Sequence, residues 1–435
     1  MSLPVVERRA PAAGRWGIVV LLMAFAALGH FNRVGISVAG SEVFIPKYGL
    51  RDTQMGWVYT AFLIVYTIGM LPGGWLIDRV GSRRALTIYG VTMGAFVALT
   101  GALGWLGLEA QSLWLGLLVV RSCAGLCNAP LHPSMAHVVS DTMAPAGRAT
   151  ANGLVTAGAL IGIAFSYPGY GSLIDRLHWP LAFVVGGGAL AAFAVIWSLS
   201  TRSWSGDSHA VATPTAVETE RSSNTDASAS AISAPGDIWA VIGNVNLWLL
   251  SLSYAAYGYF QYLFFYWMDY YFKTVLHVPD VDSRWASFWI MLAMGAGMAV
   301  GGICTDLVCR RLGQGGGRRT VVVVGMALGA LFGFLGVHAT DYVQVASFLA
   351  ASMAAVGMCE GVFWTTATDL GRKSRGFSAA FMNVGGNVGG LLSPILTPVL
   401  ARQLGWSGAI AVACGIAGLG GAIWFVIRVP QPSET

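Results

Sequence analysis

The stretch Gly73–Arg84 reads GGWLIDRVGSRR, and Gly301–Gly313 reads GGICTDLVCRRLG, with Asp78 and Asp306 separated by 228 positions. Each is a charged interruption that closes one apolar window and precedes the next. The same offset returns elsewhere: TAGALIG (156–162) lies over VGGNVGG (384–390), and LHWPLAF (177–183) lies near LGWSGAI (404–410). Self-similarity at one long offset, repeated through the chain, implies two copies of a single helical unit.

What surrounds these stretches sets the solvent. Of 435 residues, 55% are hydrophobic and 10% charged, against roughly 25% charged in soluble domains. So few charges cannot cover water-facing surfaces of this size, and lipid is the expected environment. A bilayer core of about 30 Å takes about 20 apolar helical residues. Twelve windows meet that requirement: 16–40, 55–77, 85–107, 110–139, 149–174, 179–200, 238–272, 284–305, 320–337, 342–368, 377–401 and 405–428. The expected fold is therefore an all-α membrane protein of twelve transmembrane helices in two pseudo-symmetric six-helix halves. An N-terminal bundle (1–200) and a C-terminal bundle (237–435) flank a Ser-, Thr- and Ala-rich segment (201–236) that reads as a flexible cytoplasmic linker.

Positive residues are retained in short cytoplasmic loops. With the N-terminus inside, seventeen basic residues fall on the cytoplasmic side and six outside, so both termini are expected in the cytoplasm, in a plasma (bacterial inner) membrane. The N-terminal arginines resemble a signal-peptide n-region, but the apolar run after them is too long, and it is expected to stay as the first helix. The six cysteines (Cys123, Cys127, Cys304, Cys309, Cys359, Cys414) show no spacing of a disulfide scaffold or zinc site. No metal and no cofactor is expected. Net charge is +5, yet the basic residues are scattered without aromatic interleaving, which argues against nucleic acid as a partner.

Gly74, Asp78, Arg79, Gly81, Arg83 and Arg84 match the G-x-x-x-D-R-x-G-x-R-R loop signature almost completely, and on this the chain resembles a major facilitator superfamily transporter. Within it the chain is most similar to the anion:cation symporter family, which includes bacterial sugar-acid transporters, sialin and vesicular glutamate transporters. FNRVGISVA in helix one and GGNVGGLLSPILTP in helix eleven carry that resemblance. It implies transport by alternating access.

Charges inside the membrane are the next signal, because even lenient scales put a mid-helix arginine at about 2.5–3.5 kcal/mol. Arg33 lies in helix one, one turn from His30. Arg121 lies in helix four, sharing a face with Gly125, Asn128 and His132. Arginine forks onto carboxylates, so two in an apolar bundle suit a small organic anion; bridging of backbone carbonyls is the structural alternative. Both stand where the resemblance places substrate and coupling arginines, and Tyr66 stands where it places a tyrosine facing the anion. The same resemblance places acids where this chain has Asn32 and Asn128, neither of which carries a proton at neutral pH. The remaining coupling candidates are Glu360, His132 and His30, with Glu360 and His132 at equivalent places in the two halves.

Helix seven, SYAAYGYFQYLFFYWMDYYF, contributes Tyr257 and Gln261; the latter corresponds to Arg33 by the offset. Asp269 near its end is expected to face water. Trp364 shares a face with Glu360, and Asn387 shares one with Asn383 in helix eleven, where the glycines are expected to pack helices. Two charged clusters, Asp78 with Arg79 and Arg83, and Asp306 with Arg310, read as cytoplasmic gates. Pro130 and Pro133 flank His132, where a bend is expected.

The reading is a secondary active transporter of a sugar acid or other carboxylate, working as a monomer in the lipid bilayer. Anion exchange or uniport is favoured over proton symport because of Asn32 and Asn128. The alternatives are a proton-coupled symporter using Glu360 or His132, and a drug or lipid exporter. No H-E-x-x-H or G-x-S-x-G is present to support an enzyme.

Overall fold

A computed structural model describes residues 12–143, 145–202, 243–371 and 375–429. From residue 203 on, the 201–236 linker lies outside the described residues. The described chain is α-helix almost throughout, as the absence of water in a bilayer demands: only a helix or a closed barrel satisfies its own backbone there. The helices are α1 (Ala12–Ala39), α2 (Asp52–Val80), α3 (Ser82–Ala102), α4 (Ala110–Asn128), α5 (Leu131–Thr142), α6 (Pro145–Ser200), α7 (Val245–Tyr270), α8 (Asp280–His338), α9 (Tyr342–Gly357), α10 (Glu360–Leu370) and α11 (Arg375–Ala422). Among the described residues, seven continuous helical stretches are long and apolar enough to cross a membrane by length and composition.

Three of the longest are each two helices joined at a kink. The joints are His178 in α6 (φ 59°, ψ 159°), Gly313 in α8 (φ 75°, ψ 166°) and Gly405 in α11 (φ 73°, ψ 166°). Gly81, between α2 and α3, takes the same conformation (φ 82°, ψ 152°). That region is essentially reserved for glycine, so His178 holds a strained backbone where its counterpart Gly405 does not.

The repeat is also visible in finer features. α1 ends in π-helical turns at Gly40–Phe44 and α7 in π-helical turns at Tyr271–Val275. α4 breaks into α5 at Ala129–Pro130, where proline removes an N–H, and α9 breaks into α10 at Met358–Cys359, where there is none. α1 packs on α6, and α7 packs on α11. In the first pair Gly158 and Gly162 lie against the backbone of Met23 and Ala27; in the second, Gly385 and Gly389 lie against that of Ser251 and Ala255. A methyl group at any of the four would run into a carbonyl oxygen, so the glycines let two backbones touch, which is how helices associate without a hydrophobic driving force.

The chain separates into two compact units. One is Met1–Leu50 with Ile64–Ala210; the other is Arg51–Leu63 with Val211–Thr435. The first turns of α2 belong to the second unit. There Thr60 donates to the Leu391 carbonyl at 2.8 Å, Arg402 pairs with Asp52 at 3.0 Å, and Tyr59 stacks on Tyr266 with centroids 4.7 Å apart.

One expectation is corrected. Asp269 does not face water: it is 1% exposed and accepts a hydrogen bond of 2.7 Å from Ser283 Oγ. Ser283 arrives in the first turn of α8, after the short π-helical connection, and covers the end of α7. Neighbouring Arg284 is buried as well.

Candidate functional site

In the first unit the polar side chains gather around Arg33. Arg33 is 6% exposed, with Cζ 5.4 Å from the centre of the Tyr66 ring. That distance is within cation–π range, and the ring gives the charge a fixed neighbour in an apolar setting. Arg121, 1% exposed, donates through Nη2 to the backbone carbonyl of Arg33 at 2.8 Å. Arg121 thus bridges a backbone carbonyl, as the structural alternative anticipated, and braces the turn of α1 that carries Arg33. The two arginines have different jobs in this geometry.

Asn32 is bonded at both ends of its amide. Its Nδ2 donates to the Leu28 carbonyl at 2.9 Å, and its Oδ1 accepts from the Tyr170 hydroxyl at 2.7 Å. Arg121, Gly125 and Asn128 are buried together on α4, while His132 follows the break and belongs to α5. The Asn128 amide, the Tyr89 hydroxyl and the Ser134 hydroxyl are buried without a hydrogen-bond partner among the described residues. A buried amide in that condition costs free energy that a polar ligand would recover.

His30 and His132 form a pair. His30 Nδ1 lies 3.0 Å from the Ala26 carbonyl, and His30 Nε2 lies 3.4 Å from His132 Nε2. A carbonyl only accepts, so Nδ1 of His30 carries the proton. In the neutral ring its Nε2 is then an acceptor for His132 Nε2–H.

The second unit repeats the scaffold with other chemistry. Gln261, at the place of Arg33, donates through Nε2 to Met294 Sδ at 3.6 Å; Met294 stands at the place of Tyr66. Glu360 opens α10, where the helix N-terminus favours a negative charge. Its Oε1 accepts from the Tyr254 hydroxyl at 2.8 Å and from Trp364 Nε1 at 2.9 Å. Tyr257 is buried beside Tyr254, the rings stacked at 5.3 Å. Asn383 and Asn387 are half-buried on α11, in the stretch whose glycines meet α7.

Tyr254, Tyr170 and Tyr89 were not singled out from the sequence. Tyr254 sits one turn from Tyr257, which is the only hint it offered.

The proposed gate residues divide. Arg79 lies over the Trp75 ring, Cζ 3.9 Å from its centre. Arg83 donates to Thr201 Oγ1 and to the Ser198 carbonyl, both at 2.8 Å, tying down the end of α6. In the second unit Arg319 makes a contact of the same kind, donating to the Ile427 carbonyl at 3.0 Å beside the end of α11. Asp306 and Arg310 are exposed. The Asp78 side chain lies outside the described residues.

Comparison with known proteins agrees with this architecture. A family model of the Major Facilitator Superfamily matches residues 19–372 and 316–435. The chain is 33% identical over 183 residues to the probable galactarate/D-glucarate transporter of Bacillus subtilis, covering 42% of this chain and 40% of that relative's length. It therefore spans less than half of that protein. Longer matches cover the probable sulfoacetate transporter of Cupriavidus necator (25% identical; 84% of this chain, 82% of the relative) and the probable galactarate/D-glucarate transporter of Escherichia coli (25%; 88% and 85%). Among solved structures, a bacterial homologue of the human lysosomal transporter Spinster superposes with a TM-score of 0.73 at 14% identity, over 96% of this chain and 98% of that one. That likeness concerns the fold alone.

Proposed function

Because the chain belongs to the major facilitator superfamily, an integral membrane family of transporters, we propose that it carries a small organic anion across the membrane by alternating access. A sugar acid or another small carboxylate is the proposed cargo. The observation that carries this reading is Arg33: a buried guanidinium steadied by the Tyr66 ring, on a turn of α1 that Arg121 holds through its carbonyl. A permanently charged, planar, double donor in an apolar helical setting matches a carboxylate in shape and charge. The names of the long-matching relatives, sulfoacetate and galactarate/D-glucarate transporters, support an acid as cargo. The family and these relatives are transporters, which sets the embedded-enzyme alternative aside.

The finer architecture is proposed with it. Counting each kinked stretch as two spans and adding α2 and α7 to the seven apolar stretches gives twelve spans. They fall as six in 1–200 and six in 237–435, with both termini in the cytoplasm of a bacterial inner membrane and a monomer as the working unit. Asp78, Arg79, Arg83, Asp306 and Arg310 are proposed to gate the cytoplasmic side.

For coupling, exchange or uniport is favoured. Asn32 spends both ends of its amide inside the protein and takes no proton. An arginine site that crosses the membrane empty is costly, and a bound anion relieves that cost. A second reading, proton symport, has one observation in its favour: two imidazoles, His30 and His132, face each other with Nε2 atoms 3.4 Å apart. Reconstitution in liposomes tests both. A panel of organic acids is offered while pH gradient, voltage and internal anion are varied independently. Uptake that requires internal anion supports exchange; uptake that follows an inward proton gradient into empty vesicles, and disappears in His30→Gln, supports symport and overturns exchange.

A further inference from the structure

In the second unit α8 and α9 run side by side, and their backbones touch where Gly297 meets the Ala354 carbonyl, Gly301 that of Met358 and Gly357 that of Met294. Between Asp280 and Met294 on α8, and between Tyr342 and Val356 on α9, there is no glycine. Side chains hold the backbones apart there, and a cavity of about 320 Å³ opens between the first turns of the two helices. One stripe of each helix lines it: Trp285, Ala286 and Trp289 on α8, and Tyr342, Ala346 and Ala350 on α9.

Trp285 and Trp289 each stand edge-on to Phe288 with centroids 5.1 Å apart, which fixes the two indoles as one wall. With Tyr342 they are exposed on helices apolar enough to cross a membrane, and the alanines between them leave the depth unfilled. Lipid is the medium such a face meets. From Tyr342 to Ala350 a helix rises about 12 Å, nearly half of a hydrocarbon core of about 30 Å, so the groove serves one leaflet. Its mouth is acidic. Asp282 lines it and makes no ion pair among the described residues. Asp280 beside it pairs with Lys273 at 2.8 Å, and Asp341 caps α9 by accepting from the Val343 and Gln344 N–H groups at 3.0 Å and 3.2 Å. Arg284, next in the chain, is buried. A net-anionic headgroup meets like charge there, whereas an ammonium finds a carboxylate and the tryptophan and tyrosine rings that suit the membrane–water boundary.

We propose that the groove between the first turns of α8 and α9 is a binding site for a membrane phospholipid with a primary ammonium headgroup, one acyl chain lying along the alanines and the ammonium at Asp282. The site belongs to the second unit alone and does not depend on the identity of the cargo.

The test offers the full-length protein in detergent an equimolar mixture of phosphatidylethanolamine and phosphatidylglycerol with identical acyl chains, and counts bound lipid by native mass spectrometry. The wild type retains one phosphatidylethanolamine over phosphatidylglycerol by about fivefold, the scale of a single exposed ion pair. Asp282→Asn brings that ratio to about one while a lipid still binds. Ala346→Phe fills the groove and removes the retained lipid of either kind, whereas Leu331→Phe, at an exposed position elsewhere on α8, leaves it in place. Gel filtration and thermal unfolding check that the variants fold. Asp282→Asn, at an exposed position, keeps the test decisive should Ala346→Phe fail to fold. A statistical spread of lipids with none retained, a preference for phosphatidylglycerol, an unchanged ratio in Asp282→Asn, or retention in a folded Ala346→Phe overturns the site. Pairing of two copies that Ala346→Phe disrupts would make the groove a protein interface and overturns it as well.

Discussion

The two units share a backbone plan and differ in charge. Where the first carries His30, Arg33, Tyr66, Arg121 and His132, the second carries Gly258, Gln261, Met294, Leu349 and Glu360 at the same offset. The contacts are preserved while the chemistry changes. Arg33 beside Tyr66 becomes Gln261 beside Met294, and the break that introduces His132 becomes the break that introduces Glu360. The glycine crossings are kept almost residue for residue, Gly162 on Ala27 and Gly389 on Ala255. Duplication therefore fixed what holds the helices together and left the polar positions to diverge, one half toward arginines and histidines and the other toward neutral and acidic groups.

The sharpest way to break that comparison is to make position 33 resemble position 261. Arg33→Gln should cost about a hundredfold or more in organic-acid affinity, because it removes the permanent charge that the ring of Tyr66 steadies, while leaving the protein folded. Equilibrium binding by calorimetry, with gel filtration as the fold check, reads this out. Unchanged affinity would show that the charge asymmetry is not where recognition lies.

The shared part of the plan makes its own forecast. Gly162→Ala and Gly389→Ala each place a methyl group against a carbonyl of the facing helix. Both should therefore destabilise the protein by about 2 kcal/mol, the ordinary cost of overpacking. Thermal unfolding in detergent should show similar drops for the two. A large drop for one and none for the other would mean that the crossings are not equivalent.

A smaller effect belongs to the other side of the charge comparison. Gln261→Ala removes an amide that can bond a hydroxyl on the cargo, and should reduce affinity for a hydroxylated acid by about tenfold while sparing an unsubstituted carboxylate. Equal loss for both acids would make Gln261 a structural residue.

The smallest effect tests a place where the two copies differ in backbone strain. His178 holds φ 59° and ψ 159°, the conformation that Gly405 adopts without cost. His178→Gly should raise stability by about 1 kcal/mol, seen as a higher melting temperature. A fall would mean that the imidazole makes contacts worth more than the strain.

Much of this was legible in the sequence for identifiable reasons. The repeat could be read because the charged loops around Asp78 and Asp306 interrupt apolar helices in the same way, and because glycine needed for backbone contact leaves a spacing. The α4–α5 break was announced by Pro130. The α9–α10 break was not, since Met358 and Cys359 carry no breaking signal, and only the position opposite Pro130 hints at it. Arg33 and Arg121 were found because charge in an apolar helix is rare, but their division of labour was not, because a carbonyl acceptor leaves no mark in sequence. Asp269 was misread for the opposite reason. A charge at a helix end normally reaches water, whereas here Ser283 of the next helix folds over it. Tyr254 escaped notice among many aromatic neighbours.

The central claim is that Arg33 anchors an organic acid in transit. Counterflow measures it most directly: liposomes holding the purified protein are loaded with an unlabelled sugar acid, and the entry of labelled acid is followed. The account predicts rapid, saturable entry with the wild type and none with Arg33→Gln of equal reconstitution. Entry at the same rate through Arg33→Gln, or movement of an amphipathic cation by a protein that moves no organic acid, would contradict it.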